Sequence, residues 1–163
     1  MDIHLGTHLD APSHFVTGGM TVDKVSLAQT TGSCTVIEFS SSEVREIPAS
    51  VMDGVLAERV LFKTSNSSLL SRREFEPDFV SLSEELALVL VQRDIKLVGI
   101  DYFSVDQFRS EGSPVHRILL DAGVLILEGV NLSGIQPGDY QLLALPLNIV
   151  GAEGSPLRAV LAK

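Results

Sequence analysis

The segment Ile3-His4-Leu5-Gly6-Thr7-His8-Leu9-Asp10 constrains this chain more than any other. Apolar and polar residues alternate along it until Pro12 ends the run, and a period of two is that of a strand. His4, Gly6, His8 and Asp10 then share one face. The i,i+4 spacing of His4 and His8 would also suit a helix, but Gly6, Thr7 and Pro12 argue against one. Three of the four histidines lie between positions 4 and 14, with Asp10 among them. Imidazole nitrogen and carboxylate oxygen are ligands that Zn²⁺ and Mn²⁺ accept, so a strand face aiming His4, His8 and Asp10 at one point predicts a metal site. The bland alternative is a chance cluster of surface histidines near a frayed terminus. Against it, Gly6 permits close backbone approach, Thr7 and Ser13 can supply supporting hydrogen bonds, and Pro12 rigidifies the exit that places His14.

A chain of 163 residues, 45% hydrophobic and 20% charged, predicts a single globular domain over 1–163 with a real core. The formal charge of -9 and the scatter of Lys and Arg leave no basic stripe, so nucleic acid is excluded as a partner. No apolar run approaches the length of a membrane span, and Met1 to Leu5 carry neither a basic nor an apolar leader region. A cytoplasmic location without membrane contact is the expectation. Cys34 is the only cysteine, which excludes an intramolecular disulfide and a thiolate metal cluster. Its neighbours Thr35, Val36, Ile37 and Phe39 suggest a strand, so Cys34 reads as a small buried hydrophobe rather than a nucleophile.

Further elements follow the same logic. Strands are predicted over Cys34–Phe39, Arg59–Lys63, Lys96–Ile100, Val124–Leu127, Gln141–Pro146 and Val160–Ala162, with a turn at Pro137-Gly138-Asp139. Ser42 to Glu46 reads as a turn or short helix before Pro48. Ser81 to Arg93 predicts a helix capped by Ser81 or Ser83, with Glu84 and Glu85 at its positive end. Ser113-Pro114 starts a second helix with Ser as N-cap, and Gly123 stops it. Periodicity alone gives a mixed α/β domain without repeats. Thr64, Asn66, Ser104 and Asp101 sit in loops at strand ends, where a polar side chain is as readily solvated as it is bound to substrate.

The run His4-Leu5-Gly6-Thr7-His8-Leu9-Asp10-Ala11-Pro12-Ser13-His14 resembles the His-x-Gly-Thr-His-x-Asp-Ala-Pro-x-His motif of the cyclase family. That family includes bacterial-type kynurenine formamidase and isatin hydrolase. Ser113-Pro114-Val115-His116, Leu127-Glu128-Gly129-Val130-Asn131, Val98-Gly99-Ile100-Asp101 with Ser104 and Asp106, and Pro146-Leu147-Asn148-Ile149-Val150-Gly151-Ala152 extend the resemblance to the end of the chain. Taken without it, His116 and Glu128 would read as structural residues of a helix start and a strand end.

The resemblance implies an α/β domain of the swivelling β/β/α type. It also implies one or two divalent cations, Zn²⁺ or alternatively Mn²⁺. One cation would be held by His4, His8 and Asp10 and a second by Asp10, His116 and Glu128. His14 would be the acid/base that carries a proton to the leaving group. The implied activity is hydrolysis of a C–N bond in a small amide or lactam by a metal-activated water. Lactone hydrolysis or cyclisation at the same site, and metal binding without efficient catalysis, are the rival readings. Homodimeric or homotetrameric assembly is also implied. Family members usually carry a substantial segment before the first motif, whereas Met1-Asp2-Ile3 precede His4 here, as expected of a shortened or minimal member. With no Trp and two Tyr, an aromatic cage for an aryl substrate would fall to Phe15, Phe75, Phe79 and Phe103.

Overall fold

In the computed structural model, which describes residues 2–72 and 74–163, the apolar runs become neighbouring strands. The strands are β1 (His8–Asp10), β2 (Thr31–Glu38), β3 (Glu46–Ile47), β4 (Arg59–Lys63), β5 (Ser81–Leu82), β6 (Leu97–Ile100), β7 (Leu125–Glu128), β8 (Gly138–Ala144), β9 (Gly154–Pro156) and β10 (Ala159–Ala162). The helices are α1 (Leu27–Thr30), α2 (Glu84–Gln92) and α3 (Pro114–Asp121). Eight strands form a sheet in the order β10-β8-β2-β4-β6-β7-β1-β9, and β3 pairs with β5 apart from it. The middle strands β2, β4, β6 and β7 run parallel, and antiparallel strands extend the sheet on both sides.

Parallel strands covered on both faces need apolar residues at every position, and β6 and β7 are buried throughout. Alternation then divides their side chains between two cores. Val60, Phe62, Val98, Ile100 and Ile126 pack toward Leu86 and Leu90 of α2 and Val115 and Leu119 of α3. Leu61, Leu97, Leu125 and Leu127 pack on the other side with Leu9, Val36 and Leu142. Cys34 is fully buried in this second core, as its neighbours in sequence predict.

Several boundaries differ from the sequence expectation. The first strand forms only from His8, because Gly6 turns the chain in a left-handed conformation with φ of 67°. The Gly6 carbonyl there lies so close to Gly129 that a side chain at position 129 would collide with it. His4 and Gly6 therefore do not share a strand face with His8 and Asp10. The helix expected from Ser81 begins at Glu84, since Ser83 Oγ accepts the Leu86 N–H at 3.1 Å and makes Ser83 the cap. Ser81 and Leu82 pair instead with Glu46 and Ile47, which extends a strand into the expected turn at Ser42 to Glu46. Gly138 and Asp139 belong to β8, paired with Val36 and Thr35, rather than to a turn. Ser113 precedes α3 with φ of 50° and its side chain does not cap the helix; Asp106 does. Among the described residues, no helix is long and apolar enough to cross a membrane.

Candidate metal centre

Strand β1 lies between β7 and β9, with His8 opposite Glu128 and Asp10 opposite Gly154. Two residues apart on one strand, His8 and Asp10 point the same way. Glu128 closes β7, and His116 sits in the first turn of α3, so four side chains from three elements converge. His8 Nε2 lies 3.3 Å from Glu128 Oε2 and 3.5 Å from Asp10 Oδ1. His116 Nε2 lies 3.2 Å from Glu128 Oε1 and 3.6 Å from Asp10 Oδ2. All four residues are buried. His4 reaches the same point from the turn before β1, with Nδ1 2.8 Å from Asp10 Oδ1. Its ring fits because position 154 is glycine, where a Cβ would come within 2.8 Å of His4 Cε1.

The outward nitrogens of the two buried imidazoles are tied down. His8 Nδ1 lies 2.9 Å from the Gly6 carbonyl, and His116 Nδ1 lies 2.5 Å from Asp106 Oδ2. Each acceptor takes Nδ1, so that Nε2 is the nitrogen turned to the carboxylates and available to a cation that displaces its proton. Glu128 Oε1 also accepts the Val105 N–H at 2.8 Å, which fixes the carboxylate plane.

Electrostatics at this cluster report unbalanced negative charge. Burial works against a charged His8, but Glu128 and Asp10 outweigh it and its pKa rises to about 9. Burial likewise opposes charge on His116, and Asp10, Asp106 and Glu128 together push it up to about 12. His4 is raised by Asp10, against the effects of burial and of His8. Burial would raise the Asp10 carboxyl, yet His116, His4 and His8 hold it well below the usual range. Such a cluster draws protons onto its imidazoles, and a cation can supply the same charge.

The residues fit a divalent cation. Tetrahedral coordination at bond lengths of about 2.1 Å places ligand atoms about 3.4 Å apart, and the four separations at His8 and His116 span 3.2 to 3.6 Å. Three groups of donor atoms lie within 4.8 Å of one another: His4, His8 and Asp10; Asp10, His116 and Glu128; and His4, His14 and Glu153. Asp10 Oδ2 and His4 Nε2 are buried without a hydrogen-bond partner, as oxygen and nitrogen awaiting an ion or an acceptor would be.

His14, held in a 3₁₀ turn at Pro12–His14, stacks near His4 with ring centroids 4.2 Å apart and lies 6.1 Å from the His116 ring. It groups with His4 and Glu153 and stands apart from the ring of His8, Asp10, His116 and Glu128. Glu153 stands beside both His4 and His14, and nothing local in the sequence marks it, since it precedes β9 far along the chain. Of the aromatic residues, Phe15 alone reaches the cluster, 4.7 Å from the His14 ring and 4.9 Å from that of His116. Phe75 and Phe79 gather around Tyr102 with Phe103 and Phe108, so no four-phenylalanine cage forms with Phe15. Thr64 and Asn66 are buried and occupied structurally: Thr64 bonds Asp101, and Asn66 bonds both backbone groups of Val80. Asp101 accepts four hydrogen bonds from Thr64 and Ser67. Ser104 Oγ accepts the Asp106 N–H and so helps shape the loop that positions His116.

Residues 1–107 match the Cyclase family, described as "Putative cyclase". The chain is 39% identical over 163 residues to kynurenine formamidase of Salinibacter ruber, covering 99% of this chain and 76% of that protein. A solved structure of a potential metal-dependent hydrolase with cyclase activity superposes with a TM-score of 0.86 at 36% identity, over 99% of this chain and 79% of that one. Isatin hydrolase A from Labrenzia aggregata, bound to benzyl benzoate, superposes with a TM-score of 0.81 at 28% identity, over 96% and 72% of the two chains. The α/β fold expected from the motifs is the fold of these structures.

Proposed function

The chain belongs to the cyclase family, and from that membership and its buried imidazole–carboxylate cluster we propose that it is a metal-dependent hydrolase of non-peptide C–N bonds. Its substrate is a small amide or lactam, with an aryl formamide the most specific form of the reading, in line with relatives that are a kynurenine formamidase and an isatin hydrolase. The observation that carries the proposal is the convergence of the buried side chains of His8, Asp10, His116 and Glu128 at separations of 3.2 to 3.6 Å.

His4, His8 and Asp10 would hold one divalent cation, and Asp10, His116 and Glu128 would hold a second where two are bound. Zn²⁺ suits this mixed nitrogen and oxygen set, and Mn²⁺ is the alternative. When bound, such a cation supplies Lewis acidity, acidifying a water toward neutrality and polarising the scissile carbonyl. The chain's own residues do the rest. The Gly6 carbonyl and Asp106 keep His8 and His116 aimed inward, so the ligand set needs little rearrangement. Burial of Asp10 and Glu128 excludes bulk water from the charged groups. His14 is a quarter exposed beside the cluster, where it would take the proton of the attacking water and deliver it to the departing nitrogen.

Assembly as a homodimer or homotetramer belongs to this reading. It is supported by the adjacent, exposed apolar pair Leu143 and Val160 on paired strands.

The test is elemental analysis of metal per chain, for wild type and His8→Ala, coupled to hydrolysis assays with N-formylkynurenine and simple lactams. Bound Zn²⁺ or Mn²⁺ and turnover, both lost in the variant, support the hydrolase. A chain that takes up no metal under any condition refutes it.

A further inference from the structure

We propose that Glu153 is a positioning residue that ties the proton-carrying histidine to the metal centre, one carboxylate oxygen serving both His14 Nδ1 and His4 Nε2. The inference rests on the hydrolase reading above and adds to it a residue that neither the motifs nor the predicted ligand set contains.

Glu153 Oε1 lies 3.3 Å from His14 Nδ1 and 3.5 Å from His4 Nε2. Neither contact has hydrogen-bond geometry, and both nitrogens are shielded from solvent with no other partner among the described residues. A buried ring N–H without an acceptor is costly, so each imidazole needs what Glu153 offers. His4 turns Nδ1 to Asp10 at 2.8 Å, and with a cation on Nδ1 the ring would carry its proton on Nε2, toward Glu153. His14 facing Glu153 through Nδ1 leaves Nε2 free to exchange a proton with water and leaving group. Catalytic hydrogen bonds are commonly long before substrate binds and tighten afterwards.

The backbone has placed this carboxylate. The Glu153 carbonyl accepts the Ala11 N–H at 2.9 Å, and the neighbouring Ala152 carbonyl accepts the Val22 N–H at 2.8 Å. Residue 153 is thereby fastened beside the exit of β1, three positions before His14. Gly154, directly after it, makes the room in which His4 closes up to the carboxylate. The oxygen shared between the two rings, whose centroids are 4.2 Å apart, couples the orientation of a metal-holding imidazole to that of the acid/base.

Glu153→Ala and Glu153→Gln, made in the full chain, test this. In the alanine variant kcat is expected to fall about 10–100-fold, the size of effect seen when an orienting partner is lost. Metal content should stay at the wild-type level and KM within about twofold, since the interaction serves the transition state. Glutamine, which keeps an acceptor oxygen, should retain more activity than alanine, and added acetate should restore activity to the alanine variant alone. Wild-type kcat in both variants overturns the proposal, as does a kcat that falls only in step with lost metal.

A second measurement is independent of turnover. Nitrogen-15 spectra of His14 should report Nδ1–H in the wild type and a shift toward Nε2–H in Glu153→Ala. An unchanged tautomer overturns the positioning role even if the hydrolase reading stands, whereas a wild type without metal or turnover overturns that reading alone.

Discussion

Asp106 grips His116 at two points: its Oδ2 accepts the His116 backbone N–H at 3.0 Å and faces the imidazole Nδ1 at 2.5 Å. The other oxygen accepts the Val115 N–H at 2.9 Å, so one carboxylate caps α3 and orients a side chain of the metal centre. Asp106→Ala is expected to weaken metal affinity about 10–100-fold and to cost about 1 kcal/mol of stability through the lost cap. Asp106→Asn keeps one acceptor oxygen for the cap and should lose less stability than the alanine variant while still losing affinity. Chelator competition read beside thermal melts separates the two effects, and equal affinity in all three proteins would contradict the assignment.

Removing the cation should leave buried carboxylates balanced only by protonated imidazoles. Chelator treatment is therefore expected to abolish turnover and to lower the melting temperature, with Zn²⁺ or Mn²⁺ restoring both. Because the ion binds the folded chain, the melting temperature should climb steadily as metal concentration rises above Kd. Differential scanning fluorimetry across a metal series checks this, and His8→Ala should respond far less.

Asp101 joins the loop after β4 to the end of β6. Its carboxylate takes the Thr64 N–H and hydroxyl at 2.8 and 2.7 Å, and the Ser67 N–H and hydroxyl at 3.0 and 2.7 Å. Ser67 Oγ in turn accepts the Leu132 N–H at 3.1 Å, which draws in the segment following Glu128. Asp101→Ala strands several buried donors and is expected to cost on the order of 3 kcal/mol. Urea denaturation gives the number, and a loss below about 1 kcal/mol would mean that water replaces the carboxylate.

Burial pushes the Cys34 thiol up to about 12 from the 9.0 of an exposed thiol. Between those values the unfolded chain loses its thiol proton while the folded chain keeps it, so the folded state binds more protons and stability falls as pH rises. The contribution is intact below about pH 9 and declines by about 1.4 kcal/mol per pH unit above it. Comparing wild type with Cys34→Ala isolates the effect from other groups, and the alanine variant should show the shallower decline. At pH 8 the thiol should react with iodoacetamide only after unfolding.

How much of this was legible in the sequence depended on the range of the forces involved. The apolar runs Val60–Phe62 and Val124–Leu127 announced strands because such positions must face hydrophobic neighbours, while their parallel pairing came only with the fold. His8 and Asp10 were legible as a pair from their spacing on a strand. His4 comes beside Asp10 for a reason the alternation did not give: a left-handed turn at Gly6 brings it there rather than a continuous β face. His116 and Glu128 became legible through resemblance to the family, since helix and strand patterns alone make them structural. Glu153 gave no signal, because its closeness to His14 follows from pairing between strands at opposite ends of the chain. The distribution of the phenylalanines was likewise a matter of tertiary packing.

The position of β1 between β7 and β9 also sets a schedule for the ribosome. His8 and Asp10 emerge well before the strands that flank them, which end at Glu128 and Pro156. All five predicted metal-holding residues have been translated by position 128, but the wall that carries Glu153 and makes room for His4 arrives only with β9. A nascent protein stalled shortly before β9 would hold every one of those side chains and have no finished place to put them.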